Sequence, residues 1–335
     1  MKYIILLWPH ANARYRNEAQ KLARAELSVI LRRVAPDARI AEADLPGMPA
    51  IALESDSPLS EDCIAALRGH SLLYCLFAGG EDGTLRPLAG RERPYLGEDL
   101  PGILKYKGKT NELFTQMLVN IALYSSDFWR PGGEIRLLDP MCGKGTTLFV
   151  GANRGWACTG SDVNRAELRE AEQFFKRYLE YHRFKHGVVR DALTLPGGRS
   201  APGVRFMFSD AAENFKQGRT ASLRLVNLDA ADVRNAFGAR AFHLIACDLP
   251  YGVQHAPRGA SIERLMAGAL PAWRESLVPG GAVAVSFNAQ TLKPGDVRGW
   301  MARAGLEPLD DGPYQQFSHW VEQAVTRDIA VARKR

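Results

Sequence analysis

Leu137-Leu138-Asp139-Pro140-Met141-Cys142-Gly143-Lys144-Gly145-Thr146-Thr147 joins an apolar segment to an acid, a glycine-rich turn and a helical pattern. Ile135–Leu138 reads as a buried strand, the helix runs on to Asn153, and Ala157–Ser161 reads as the next strand. Strand, turn, helix and strand form a βαβ unit, which implies parallel strands and a right-handed crossover. Glycine is needed where backbone takes a positive φ or comes close to a ligand. A turn of this kind lies at the carboxyl end of a strand, where open α/β sheets bind ligands.

Two acids narrow the ligand. Asp139 precedes the glycines, and a carboxylate there suits a cationic group such as the ammonium of a methionine moiety. It suits a pyrophosphate poorly, and the third glycine that a dinucleotide turn wants near Leu148 is missing. Asp162 ends the next strand, 19 residues after Gly143, where a carboxylate can accept both ribose hydroxyls. Pro140, Met141, Cys142, Thr146 and Thr147 complete the turn, and Val163 and Asn164 follow Asp162. The expected ligand is S-adenosylmethionine (SAM), with a nicotinamide cofactor as the competing one. Asp139 would alternatively cap the helix, and Asp162 would alternatively be a turn residue. The strand Leu223–Leu228 ends in Asp229-Ala230-Ala231-Asp232, placing Asp229 and Ala230 by the adenine; Asp232 or Asn227 are alternatives there, with Asp210 less favoured.

A further buried strand, Phe242–Cys247, leads into Asp248-Leu249-Pro250-Tyr251-Gly252. An exocyclic amine on a base is a poor nucleophile because its lone pair is delocalised into the ring. Methylating it is chiefly a matter of placing the nitrogen in line with the methyl donor. Asp248 can accept hydrogen bonds from the amine, a carbonyl beside Pro250 can accept the second hydrogen, and Tyr251 offers a face for an extruded base. The plain alternative is a Pro-Tyr turn ending a core strand. Cys247 lies within the strand and reads as a structural thiol rather than a nucleophile.

Working outward, Thr110–Leu123 has helical spacing, with Thr110 or Asn111 as its cap. The first segment reads as strand (Tyr3–Trp8), long helix (Arg14–Val34), short helix (Glu61–Leu67) and strand (Leu72–Ala78). Gly79–Gly102, dense in Gly, Pro and charge, reads as a connection. The expected division is a small α/β module at 1–95, serving RNA binding or packing, and a catalytic domain at 96–335 with an insertion around 180–222. A long charged helix is expected over Arg165–Lys185, where Lys176, Arg177, Arg183 and Lys185 would track phosphates or form a solvated face. The Pro279-Gly280-Gly281 turn precedes a strand at Ala282–Phe287, and Pro294–Ala304 is helical. Alternating strands and helices from about 100 onward indicate an open, doubly wound α/β sheet.

Charge is uneven: residues 1–100 carry 12 Lys+Arg against 14 Asp+Glu, the remainder 31 against 23. The basic excess of the catalytic part is compatible with a phosphate-bearing substrate. Five cysteines without a C-x-x-C pair exclude a zinc or disulfide scaffold, so no metal is expected. No run approaches the roughly 18 apolar residues of a membrane span. A cytoplasmic location, away from membranes, is expected.

Together these residues resemble the methyltransferases with an acidic-Pro-Pro-Tyr signature. Asp139–Thr147, Asp248–Val253, Lys105–Leu123 and Val321–Lys334 resemble the Trm11-like tRNA guanine-N2 methyltransferase family. The resemblance implies a Rossmann-like class I fold whose sheet has seven mostly parallel strands, the last antiparallel. It also implies SAM as methyl donor and guanosine N2 in tRNA as target. Asp139, Gly143, Gly145 and Asp162 would contact SAM, and Asp248, Pro250 and Tyr251 would hold the base. Leu249 stands where the signature has proline, Met141 where the cofactor loop has an aromatic, and residues 1–95 are short for the family's RNA-binding module.

Overall fold

Short apolar strands flanked by amphipathic helices build two sheets. The computed structural model describes residues 1–9, 13–43 (13–17 by backbone alone), 45–106, 108–130, 132–250 and 262–335. The first sheet comprises β1 (Lys2–Leu7), β2 (Arg39–Glu42), β3 (Ala50–Glu54), β4 (Leu73–Gly79) and β5 (Leu85–Gly90), in the antiparallel order β2-β3-β1-β4-β5. Helices α1 (Ala13–Val34) and α2 (Glu61–Arg68) belong to this part. The period of two in β1 turns Tyr3, Ile5 and Leu7 into a core shared with Leu27, Ile30 and Leu67 of the helices.

Two helices, α3 (Leu100–Ile103) and α4 (Glu112–Ser125), lead to the second sheet. Its frame is β6 (Arg136–Asp139), α5 (Thr146–Ala152), β7 (Ala157–Asp162), α6 (Arg165–Tyr181), the inserted β8 (His186–Thr194) and β9 (Ser200–Phe208), α7 (Ala212–Lys216) and β10 (Ala221–Asn227). It continues through α8 (Val233–Phe237), β11 (Phe242–Asp248), α9 (Ile262–Ser276), β12 (Leu277–Asn288), α10 (Pro294–Arg303), β13 (Glu307–Leu309), β14 (His319–Glu322) and β15 (Val325–Arg333). The order is β13-β15-β12-β11-β6-β7-β10-β9-β8, with β14 on β15. Five central strands, β10 to β12, are parallel; β15 is antiparallel to β12 and to β13. Those seven strands are the expected doubly wound frame. Winding runs from β6 through β7 to β10 in one direction and from β11 to β12 in the other. The crevice of such a sheet opens where the direction reverses, between β6 and β11.

The sheet is larger than the expected seven strands because the insertion forms a hairpin that extends it. In β9, Ala201, Val204, Phe206 and Phe208 are buried and alternate with more exposed positions. Phe206 and Phe208 meet Phe175 of α6 edge-on, with centroids 5.3 and 5.2 Å apart. Each such ring buried stabilises by roughly 1.5–3 kcal/mol, enough to make strands of a stretch rich in Gly and polar residues. Three further expectations are corrected. Gly79–Gly102 contains β5, which among the described residues pairs with β4 alone, an edge position that tolerates Pro87. The Pro279-Gly280-Gly281 turn lies inside β12, absorbed by a register shift against β11. Helix α6 stops at Tyr181, and Arg183 adopts φ 59°, so Lys176, Arg177, Arg183 and Lys185 do not share one helical face.

The two sheets share one continuous core, with α1 packed on α4. A buried polar knot fastens that seam. Glu26 of α1 accepts hydrogen bonds from the Ser71 amide (2.9 Å), the Ser71 hydroxyl and Asn120 of α4 (2.5 Å). Asn120 also donates to the Gly69 carbonyl (2.8 Å) and accepts from Arg154. Among the described residues no helix is long and apolar enough to cross a membrane.

Candidate active site

Asp139 ends β6 and is 3% exposed. Its carboxylate accepts from the Met141 amide at 3.2 Å and from the Thr147 hydroxyl. Burial pushes its pKa up to about 7; those two bonds oppose the shift, and the negative charges of Asp162 and Asp248 add to it. The helix cap is Gly145 rather than Asp139, at φ 87°, with Gly143 at φ 49°. The Cys142 amide donates to the Ser161 carbonyl (3.0 Å), and the Gly143 amide to Asp162 Oδ2 (2.8 Å), tying the loop to the tip of β7. The Ser161 hydroxyl donates to the Pro140 carbonyl at 3.2 Å. The close approach that a third glycine near Leu148 would permit is supplied from the facing strand: a Cβ on Gly160 would lie 2.4 Å from Leu148 and 2.7 Å from Cys142 Sγ.

Asp162 also accepts from the Asn164 amide at 2.8 Å, so it serves its turn as well as the loop. Asn164 caps α6, and Val163 is 61% exposed at the rim. At the tip of β10, Asn227 donates to the carbonyls of Asp162 (2.9 Å) and Val163 (3.1 Å). Asp232 holds Arg199 through two bonds of 2.9 and 3.0 Å. Asp229 is exposed and accepts from the Ala231 amide (2.8 Å), with Ala230 buried beside it. Asp210, the less favoured alternative, accepts from Asn214 and Ser209 beyond the hairpin.

Across the switch point, Asp248 ends β11 with both oxygens engaged: Thr110 donates to Oδ2 and Ser286 of β12 to Oδ1. Arg327 of β15 donates to Thr110 at 3.3 Å while its guanidinium sits 4.5 Å from the Phe114 ring centroid. Asp248 ends the strand paired with that of Asp139, and its negative charge adds to the rise of the Asp139 pKa. Leu249 is buried in the second core, and its amide donates to the Ser286 carbonyl at 2.9 Å. A proline there would lack that donor, so leucine prolongs the pairing with β12. Pro250 is half-buried, and Tyr251 lies outside the described residues. Burial raises the thiols of Cys142 and Cys247 well above their ordinary range, which suits packing and not nucleophilic attack.

Four participants carry no local signal in the sequence. Thr110, one of two expected helix caps, binds Asp248 instead, while Asn111 caps α4 through the Leu113 and Phe114 amides. Ser286 and Arg327 lie far along the chain, and only the pairing of β11, β12 and β15 brings them here. Tyr106 contacts the Thr146 hydroxyl at 3.3 Å with Lys144 Nζ 4.8 Å from its ring centroid. Burial, then the charges of Glu167, Asp248 and Asp139, raise its hydroxyl pKa.

No protein-family model matches the chain, and no curated protein matches it in sequence. Solved structures resemble it distantly. The rRNA methyltransferase aviRa from Streptomyces viridochromogenes is 19% identical over 68% of this chain and 88% of its own, at a TM-score of 0.39. A TehB-like SAM-dependent methyltransferase from Corynebacterium glutamicum is 17% identical over 60% and 80%, at 0.35. Magnesium protoporphyrin IX methyltransferase from Synechocystis, with bound SAM, is 14% identical over 69% and 87%, at 0.38. Likenesses this distant say nothing of substrate or chemistry, which the chain's own strand order and side chains must indicate.

Proposed function

We propose that this chain is a SAM-dependent methyltransferase acting on an exocyclic amine of a nucleic-acid base in RNA. One observation carries the proposal: Asp139 and Asp248 end the two paired strands that flank the switch point, beside a glycine turn pinned to Asp162. SAM would supply an activated methyl group on a positively charged sulfur. The residues present fit it. Asp162 and Asp248 add negative charge to the burial that raises the Asp139 pKa, so a ligand ammonium would offset that cost. Asp162 would take the ribose hydroxyls, with Asp229 and Ala230 at the adenine end.

Asp248 would accept the hydrogens of the target amine. Its orientation is preset by the Thr110 and Ser286 hydroxyls, one on each carboxylate oxygen. Held this way, the carboxylate turns the amine lone pair toward the methyl group and stabilises positive charge growing on nitrogen. Pro250 and Tyr251, next in the chain, would complete the grip on the base. RNA as substrate is supported by the +8 charge of residues 101–335. The Trm11-like resemblance makes guanosine N2 in tRNA the first target to test. Tritium transfer from labelled SAM to bulk tRNA, followed by digestion to nucleosides, is expected to yield N2-methylguanosine. Label appearing in genomic DNA and not in RNA would transfer the assignment to adenine-N6 or cytosine-N4. Absence of SAM binding by calorimetry would leave a non-catalytic module.

A further inference from the structure

The first sheet carries two large rings that its core does not use. Trp8, directly after β1, is 42% exposed, and Tyr74 of β4 is 50% exposed. Their ring centroids lie 5.3 Å apart with planes inclined at 59°, so they form an open wedge rather than a closed stack. Arg91, directly after β5, brings its guanidinium 5.6 Å from the Trp8 centroid. The same guanidinium donates to Gln116 of α4 at 3.2 Å. Gln116 stands in the second turn of α4, whose cap Asn111 directly follows Thr110, the residue that holds Asp248. The connecting stretch 85–110 holds six Lys+Arg (Arg86, Arg91, Arg93, Lys105, Lys107, Lys109) against three acids, although the first hundred residues together are net acidic.

We propose that Trp8, Tyr74 and Arg91 form a stacking platform for an unpaired stretch of the RNA substrate, upstream of the base presented to Asp248; this rests on RNA being the substrate. Exposed aromatic faces beside a guanidinium are what unstacked bases bind, because every base has a π-face and the cation adds attraction to ring and phosphate alike. A duplex hides its base faces and gains nothing from such a wedge. The basic excess of the connection, which joins the first sheet to α4, adds backbone attraction. The acidic balance of the first hundred residues then ceases to argue against an RNA role, since positive charge is concentrated in that stretch of sequence.

The test is fluorescence anisotropy with a short labelled oligouridine, alongside tRNA methylation kinetics, for Trp8→Ala, Tyr74→Ala and the conservative Trp8→Phe and Tyr74→Phe. Each alanine variant is expected to bind the oligomer about tenfold or more weakly and to raise KM for tRNA while kcat holds. The phenylalanine variants are expected to bind close to the wild type, and SAM titration is expected to be unchanged in all four. Wild-type oligomer binding and tRNA KM in both alanine variants would overturn the platform while leaving the methyltransferase reading intact. So would an alanine variant that keeps RNA affinity but loses self-association, since the rings would then cover a second copy of the chain. A wild-type protein that binds SAM but neither binds nor methylates RNA would end both proposals.

Discussion

Both sheets bury apolar strands, but the second gathers polar side chains at the carboxyl ends of its parallel strands. In the first sheet neighbours run antiparallel, so their carboxyl ends alternate between opposite edges. In the second, five parallel strands deliver Asp139, Asp162, Asn227, Asp248 and Asn288 to one edge. Parallel pairing brings those strand ends to one side of the sheet, and reversal of the winding opens a crevice between β6 and β11. The polar cluster of the first part, around Glu26, is instead sealed in the seam and holds two elements together.

Substitutions at these places should separate the two behaviours. The largest effect is expected from Asp248→Asn, which keeps size but removes the charge that stabilises the amine: a fall of about 100-fold or more in kcat, with SAM affinity retained in calorimetry. Next is Asp139→Asn, expected to weaken SAM binding by at least about tenfold through loss of a buried charge partner. The wild type should also show a pH signature here. With the folded-state pKa near 7 and an ordinary carboxylate value when unfolded, the folded chain binds the extra proton between about pH 4 and 7. Its stability contribution therefore falls as pH rises through that window. SAM, which favours the ionised form, should bind more tightly from pH 6 to 8 with proton release, and Asp139→Asn should flatten that slope. Calorimetry in buffers of different ionisation enthalpy reads both.

A smaller change is expected at Thr110. Thr110→Ala removes one of the two hydroxyls on Asp248 and should lower kcat roughly tenfold, with SAM affinity unaffected and Thr110→Ser restoring most of the rate. The least effect on chemistry is expected at the seam. Glu26→Gln, read by thermal unfolding and turnover together, should cost about 1–3 kcal/mol of stability and leave kcat at the wild-type value. A fall in kcat comparable to that of Thr110→Ala would mean that the seam also shapes the site.

Much of this contrast is legible in the sequence, and the losses have physical causes. The glycine turn after Asp139 and the strand ending at Asp248 each carry their signal within about ten residues, so local reading finds them. Thr110, Ser286 and Arg327 meet only through pairings between strands far apart in the chain, and a hydroxyl clamp has no periodicity to betray it. The inserted hairpin is hidden because β8 is a largely exposed edge strand and β9 contains Pro202 and Gly203, although the alternation of Val204, Phe206 and Phe208 is present. Helix α9 is a different case: its buried Met266, Ala269, Leu270 and Trp273 follow helical spacing, a signal as local as that of α4. Leu249 departs from the family signature for a reason visible only in three dimensions: its amide is spent on Ser286.

A crystal structure with S-adenosylhomocysteine tests the proposed ligand position most directly. The amino group of the ligand should lie on Asp139 and its ribose on Asp162, with the sulfur directed across the switch point toward Asp248. Density for the ligand anywhere else, or a Tyr106 ring and loop filling the space between β6 and β11 in its presence, would contradict the assignment.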